Sequence, residues 1–88
     1  MPWAIILERK AQKDIKALAR TEQIRIQTFL NLRLAVRDNP RELGEALTGP
    51  WSGYWKYRVG DYRLIARIED HVLHIVVIRV ANRREAYR

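Results

Sequence analysis

The sequence contains no cysteine, which removes disulfide frameworks, thiol nucleophiles and cysteine-bound zinc together. Histidine is scarce as well, and His71 and His74 alone do not make a convincing metal centre. No apolar run approaches the roughly 18 residues of a membrane span, and the opening Met-Pro-Trp-Ala does not read as a signal peptide. Four glycines and three prolines are too few and too scattered to mark a linker or a low-complexity segment. Acidic residues number ten against 17 Lys and Arg, a formal charge of +7. At 48% hydrophobic residues the chain is nevertheless too apolar to be disordered. Its 88 residues allow one domain, spanning residues 1–88, with a thin core that buries roughly 60% of the unfolded surface. The expectation is a small, soluble, cytoplasmic, basic α/β domain.

The charge is unevenly spread. Residues 1–50 hold nine basic and six acidic side chains, and residues 51–88 hold eight and four. The more basic half also carries Trp51, Tyr54, Trp55, Tyr57, Tyr62 and Tyr87. Cations interleaved with aromatics suit a polyanion whose bases can stack, which points to RNA or single-stranded nucleic acid. The plainer alternative is that the charge only keeps the protein in solution.

Periodicity organises the chain. Trp3 to Leu7 is a short apolar run compatible with a strand. Glu8 to Arg20 takes helical spacing, with Ala11, Ile15, Leu18 and Ala19 on one stripe and Lys10, Lys13 and Lys16 facing out. Thr21 suits the N-cap of a second helix reaching about Asp38, where Asn39-Pro40 stops it. The wide apolar arc of Ile26, Phe29, Leu30, Leu34 and Val36 fits a helix packed on a sheet or covered by a partner. Residues 41–50 read as a connector. Beyond it the period becomes two: Tyr54, Lys56 and Arg58 alternate with Trp55, Tyr57 and Val59 from Trp51 to Val59. Gly60-Asp61 turns into a strand from Tyr62 to Ile68, and Val72 to Val80 is apolar enough for a central strand buried on both faces. The reading is α+β, in the order β-α-α-β-β-β, with an antiparallel sheet and two N-terminal helices packed against it.

If the last three strands form a meander, Lys56, Arg58 and Arg63 come from adjacent strands, and the segment after Val80 returns Arg83 and Tyr87 to the sheet. Lys56 and Arg58 share a face; whether Arg63 joins them depends on a hairpin register that sequence does not set. Such a cluster can cleave RNA when the substrate's own 2′-hydroxyl is the nucleophile and guanidinium groups stabilise charge on the phosphoryl oxygens. Proton transfer is the difficult step, because a free Lys or Tyr has a pKa near 10; clustered arginines could lower that of Lys56. Bland roles compete at each position: Arg63 salt-bridging Asp61 or Glu69, Arg83 and Arg84 in a solvated tail, Tyr87 anchoring that tail, and Lys56 as a solubilising strand residue. Trp3, Trp51 and Trp55 are expected to pack rather than stack on bases, and the histidines to be structural.

Several segments together resemble the RelE/ParE toxin superfamily, the toxin halves of type II toxin–antitoxin pairs. They are the helix Ala-Gln-Lys-Asp-Ile-Lys-Ala-Leu, Leu47-Thr48-Gly49, Trp55-Lys56-Tyr57-Arg58-Val59-Gly60-Asp61-Tyr62-Arg63 and Asn82-Arg83-Arg84-Glu85-Ala86-Tyr87. The resemblance implies a RelE-like fold neutralised by a cognate antitoxin wrapped around it. In the RelE branch it implies metal-independent cleavage of mRNA in the ribosomal A site, with no cofactor and no membrane. Operator DNA would be met only through the antitoxin complex. By that resemblance Lys56, Arg63, Arg83 and Tyr87 are the catalytic candidates; Tyr54, Arg58, Arg84 and Arg88 are expected as RNA contacts beside them. The chain departs from the RelE pattern at Tyr54, where that branch can have a first strand lysine, and at Asn82, often histidine in related toxins. The alternative is the ParE branch, which shares the fold and inhibits DNA gyrase without a nuclease site.

Overall fold

The computed structural model describes residues 2–84. Five strands form a single sheet: β1 (Ala4–Leu7), β2 (Glu45–Ala46), β3 (Trp55–Val59), β4 (Tyr62–Glu69) and β5 (His74–Asn82). They lie in the order β1-β5-β4-β3-β2, so the most apolar strand, β5, is internal as its composition requires. Every neighbouring pair is antiparallel except β1 and β5, which run parallel. The sheet is mostly antiparallel as expected; the helices carry the chain from β1 to the opposite edge, and the β3–β4–β5 meander returns it parallel to its first strand.

Two helices, α1 (Arg9–Lys16) and α2 (Arg20–Thr28), cover one face. α1 stops four residues short of the expected Arg20, and α2 begins at an Ala19 cap rather than at Thr21. The side chain of Gln23 explains the tight junction, since its Nε2 donates to the carbonyl of Leu18 at 2.9 Å and closes the corner. Past Thr28 the helix widens into a π-type segment, Phe29–Leu34, closed by Ala35 N donating to Leu30 O at 2.9 Å. The chain therefore leaves helical conformation before the Asn39-Pro40 stop. Wider winding still turns Phe29, Leu30 and Leu34 inward, while Leu32 and Val36 remain exposed.

Ala11, Ile15, Ile26, Phe29, Leu30 and Leu34 from this layer meet Tyr57, Val59, Leu64, Ala66, Ile75, Val77 and Val80 from the sheet. Tyr57 is the largest fully buried side chain. Its hydroxyl donates to Pro40 O at 2.9 Å, and its ring lies 6.1 Å from that of Phe29. The fit is close enough that a Cβ on Gly44 would come within 2.8 Å of the tyrosine ring. Burial pushes the phenol up to about 12, with Arg41 opposing in part. Below the unfolded value near 10 the folded and unfolded phenols are both neutral; above it only the unfolded one ionises. Stability should therefore fall between about pH 10 and 12, followed by urea unfolding, and Tyr57→Phe should flatten that limb. An alkaline limb identical in wild type and Tyr57→Phe would contradict the assignment.

Three details position the rest. Residues 41–50, expected as a connector, supply the two-residue edge strand β2, which the unremarkable strand preference of Glu and Ala conceals. β3 starts at Trp55 because Gly49–Trp51 forms a 3-10 turn instead of strand. β5 starts two residues later than expected and runs to Asn82; Asp70–Val72 is a turn that leaves Val72 exposed, with Leu73 left-handed at φ 55°. Arg41 forks onto Asp70 at 3.0 and 2.7 Å, tying that turn to the Pro40–Leu43 turn and holding the Asp70 carboxyl below its ordinary range. At the other border β1 ends at Leu7, and the amide of Val80 beyond it is met by Asp14 Oδ2 at 2.9 Å.

Candidate nucleic-acid interface

Strand alternation leaves the helix-free face of the sheet to the residues between the core positions. On β3 these are Lys56 and Arg58, as the period-two pattern predicts. The β3–β4 hairpin turns through Gly60 at φ 58° and Asp61, and this two-residue loop sets the register. It places Arg58 directly opposite Arg63 and Lys56 opposite Ile65. Arg63 therefore shares the face of Lys56 and Arg58, the point that sequence left open.

Two like charges facing each other across a strand pair are unfavourable by up to about 1 kcal/mol in an ordinary sheet. An anion bound between them reverses that sign, because guanidinium groups match phosphate oxygens bidentately. Arg58 is exposed and Arg63 half-buried. Glu69, a possible partner for Arg63 on sequence grounds, instead bonds Arg67 at 3.0 Å at the far end of β4.

Lys56 is half-buried, and its Nζ lies 3.6 Å from Glu45 Oε1 on the neighbouring edge strand. Its ionic partner on the sheet is thus a carboxylate. Glu45 was missed because β2 was missed. Arg83 follows β5 in a turn, and its backbone N donates to Asp61 O at 2.8 Å, which fastens it beside the β3–β4 hairpin. There Asp61, Asn82, Arg83 and Arg84 line an open cleft of about 320 Å³. Asn82 Oδ1 accepts from the backbone N of Arg84 at 3.0 Å and shapes this turn. The structure thus gathers Arg58, Arg63, Arg83 and Arg84 at one end of the sheet, with Lys56 further along β3.

Tyr54 shares strand parity with Lys56, but its ring meets Trp51 edge-on, with centroids 5.6 Å apart. Trp3 is in the core, and Trp55 packs against it under the guanidinium of Arg41. His71 is exposed, while His74 lies 3.7 Å from Glu69. Tyr87 and Arg88 lie outside the described residues. Among the described residues no three His, Asp or Glu side chains gather as a metal site, and no helix is long and apolar enough to cross a membrane.

Comparison with known proteins supplies the family. The model of the ParE toxin of the type II toxin–antitoxin system parDE matches residues 5–87. Toxin RelE of Mycobacterium tuberculosis is 28% identical over 87 residues, which cover 99% of this chain and 88% of that protein. Toxin RelG of the same organism is 28% identical over 88 residues, covering 100% and 99%. Among solved structures, the M. tuberculosis toxin–antitoxin complex RelBE2 matches with a TM-score of 0.87 at 26% identity, over 97% of this chain and 95% of that one. The archaeal RelE–RelB complex of Pyrococcus horikoshii shares the fold, with a TM-score of 0.74 at 22% identity over 98% and 100%. The helices on one face of a mostly antiparallel sheet are therefore the RelE-like fold, and this chain belongs to the ParE toxin family, within the RelE/ParE toxins of type II toxin–antitoxin systems.

Proposed function

We propose that this toxin is a ribosome-dependent, metal-independent endoribonuclease that stops translation by cutting mRNA in the ribosomal A site. The observation that carries the reading is the opposition of Arg58 and Arg63 on the open face, with Lys56 on the same face and Arg83 fastened beside the hairpin. In the proposed reaction the 2′-hydroxyl of the substrate attacks the adjacent phosphorus. The 5′-oxygen leaves and takes up a proton, giving a 5′-hydroxyl fragment and a 2′,3′-cyclic phosphate. Arg63 and Arg83 hold the phosphoryl oxygens as negative charge grows on them. Lys56 assists proton transfer or charge stabilisation, and Tyr87 orients or stacks on the substrate. Tyr54, Arg58, Arg84 and Arg88 contact the flanking RNA.

A cognate antitoxin is the cytoplasmic partner that holds this activity in check; the M. tuberculosis and P. horikoshii relatives were solved as toxin–antitoxin complexes. One finding favours a second reading, gyrase inhibition: the family model that matches the chain is that of ParE. The two separate in one comparison. Added to a purified translation reaction, a nuclease leaves new mRNA 5′ ends and does not change gyrase supercoiling. A gyrase inhibitor does the reverse.

A further inference from the structure

At the free edge of β5, beyond the end of β1, lies a cleft of about 310 Å³ bordered by Lys10, Lys13, Asp14, Tyr62, Arg79 and Asn82, among others. Its electrostatics are set by which charges are already spent. The Asp14 carboxylate accepts from Lys10 Nζ through Oδ1 at 2.6 Å and from the Val80 amide through Oδ2 at 2.9 Å. Both oxygens are engaged, so Lys13 and Arg79 leave the cleft positive.

Arg79 carries a second sign. Its Nε is buried, yet it has no hydrogen-bond partner among the described residues. An unsatisfied buried donor costs about 1–3 kcal/mol, more on a charged group, and calls for an explanation. The register links this residue to the interface. Arg79 pairs with Ile65, which pairs with Lys56, so the three form one row across the helix-free face. Ile65 is fully buried in that row. A β-bulge lies at this point, where Ile65 pairs with Arg79 and Ala66 with Val77. Bulges commonly re-aim a side chain next to a functional site.

We infer that Arg79 and Lys13 form a phosphate subsite for a single-stranded RNA leaving the central cluster over the β5 edge. The inference rests on the endoribonuclease reading and adds a path to it. The strand crosses the sheet from the Arg58–Arg63 pair, and a flanking phosphate sits on the part of the Arg79 guanidinium that lines the cleft, with Lys13 closing the far side. Such a contact sets register and affinity and leaves base identity unread.

The test is anisotropy of a 2′-O-methylated single-stranded RNA, which resists 2′-hydroxyl attack, titrated with the full chain over a salt series. Arg79→Gln should weaken binding about tenfold. It should also make the slope of log K against log salt shallower by about 0.7, one phosphate's worth. Lys13→Gln, at an exposed helical position, should give a similar shallowing with an unchanged circular dichroism spectrum, and it decides the matter if Arg79→Gln does not fold. Wild-type slopes in folded Arg79→Gln or in Lys13→Gln, beside a shallower slope in Arg63→Ala, would overturn the subsite and leave the nuclease reading standing. Salt-independent binding by the wild type would overturn both.

Discussion

Arg63→Ala should lower mRNA cleavage by about 10²- to 10³-fold while the protein stays folded. That is the typical loss when one preorganised donor to developing negative charge is removed. The residue sits on β4 opposite Arg58 and its neighbours Tyr62 and Leu64 point the other way, so truncating it leaves the core contacts in place. Arg63→Lys should recover only part of the activity, because an ammonium keeps the charge and loses the fork. Melting temperature distinguishes this from collapse of the fold. Full activity in folded Arg63→Ala would remove the residue from the mechanism.

The largest expected effect on stability lies on the other side of the same strand. Leu64 is completely buried, paired across the sheet with Tyr57 on one side and Val80 on the other. Leu64→Ala should cost about 2–5 kcal/mol through lost burial and the cavity left behind. Whole-domain stability at this size is about 4–13 kcal/mol. The melting temperature should fall by at least about 10 °C, and part of the population should unfold at growth temperature. Leu32→Ala is the control: its side chain is 69% exposed on the outer side of the helical layer, and the change should stay within about 0.5 kcal/mol. Equal melting temperatures for the two variants would contradict the placement of the core.

The contrast between Arg63 and Leu64 shows what the sequence made legible. Alternation along residues 54–59 and the uniform apolarity after Val72 identified the strands and separated the charged face from the core face. Those patterns arise from burial, which acts on each residue separately. Register does not arise that way: the opposition of Arg58 and Arg63 follows from the two-residue turn at Gly60-Asp61, and the alignment of Arg79 with Lys56 follows from a bulge. Neither is encoded in a run of hydropathies. β2 escaped notice because two residues, Glu45 and Ala46, are held by pairing with β3 and have no strand preference of their own. Its loss concealed the carboxylate beside Lys56. The helix ends were misjudged for a related reason, since Gln23 capping the Leu18 carbonyl is a contact between elements and leaves no local signature. Arg79 lies within an otherwise apolar strand, whose hydropathy does not distinguish its position.

The central claim is that the cations on the open face act on the mRNA backbone. The most direct measurement maps mRNA 5′ ends by primer extension in a purified translation reaction with the wild type beside Arg83→Ala. The claim predicts new ends within the A-site codon that require the ribosome and vanish with Arg83→Ala. Intact mRNA in the presence of folded, toxic wild-type protein would contradict it.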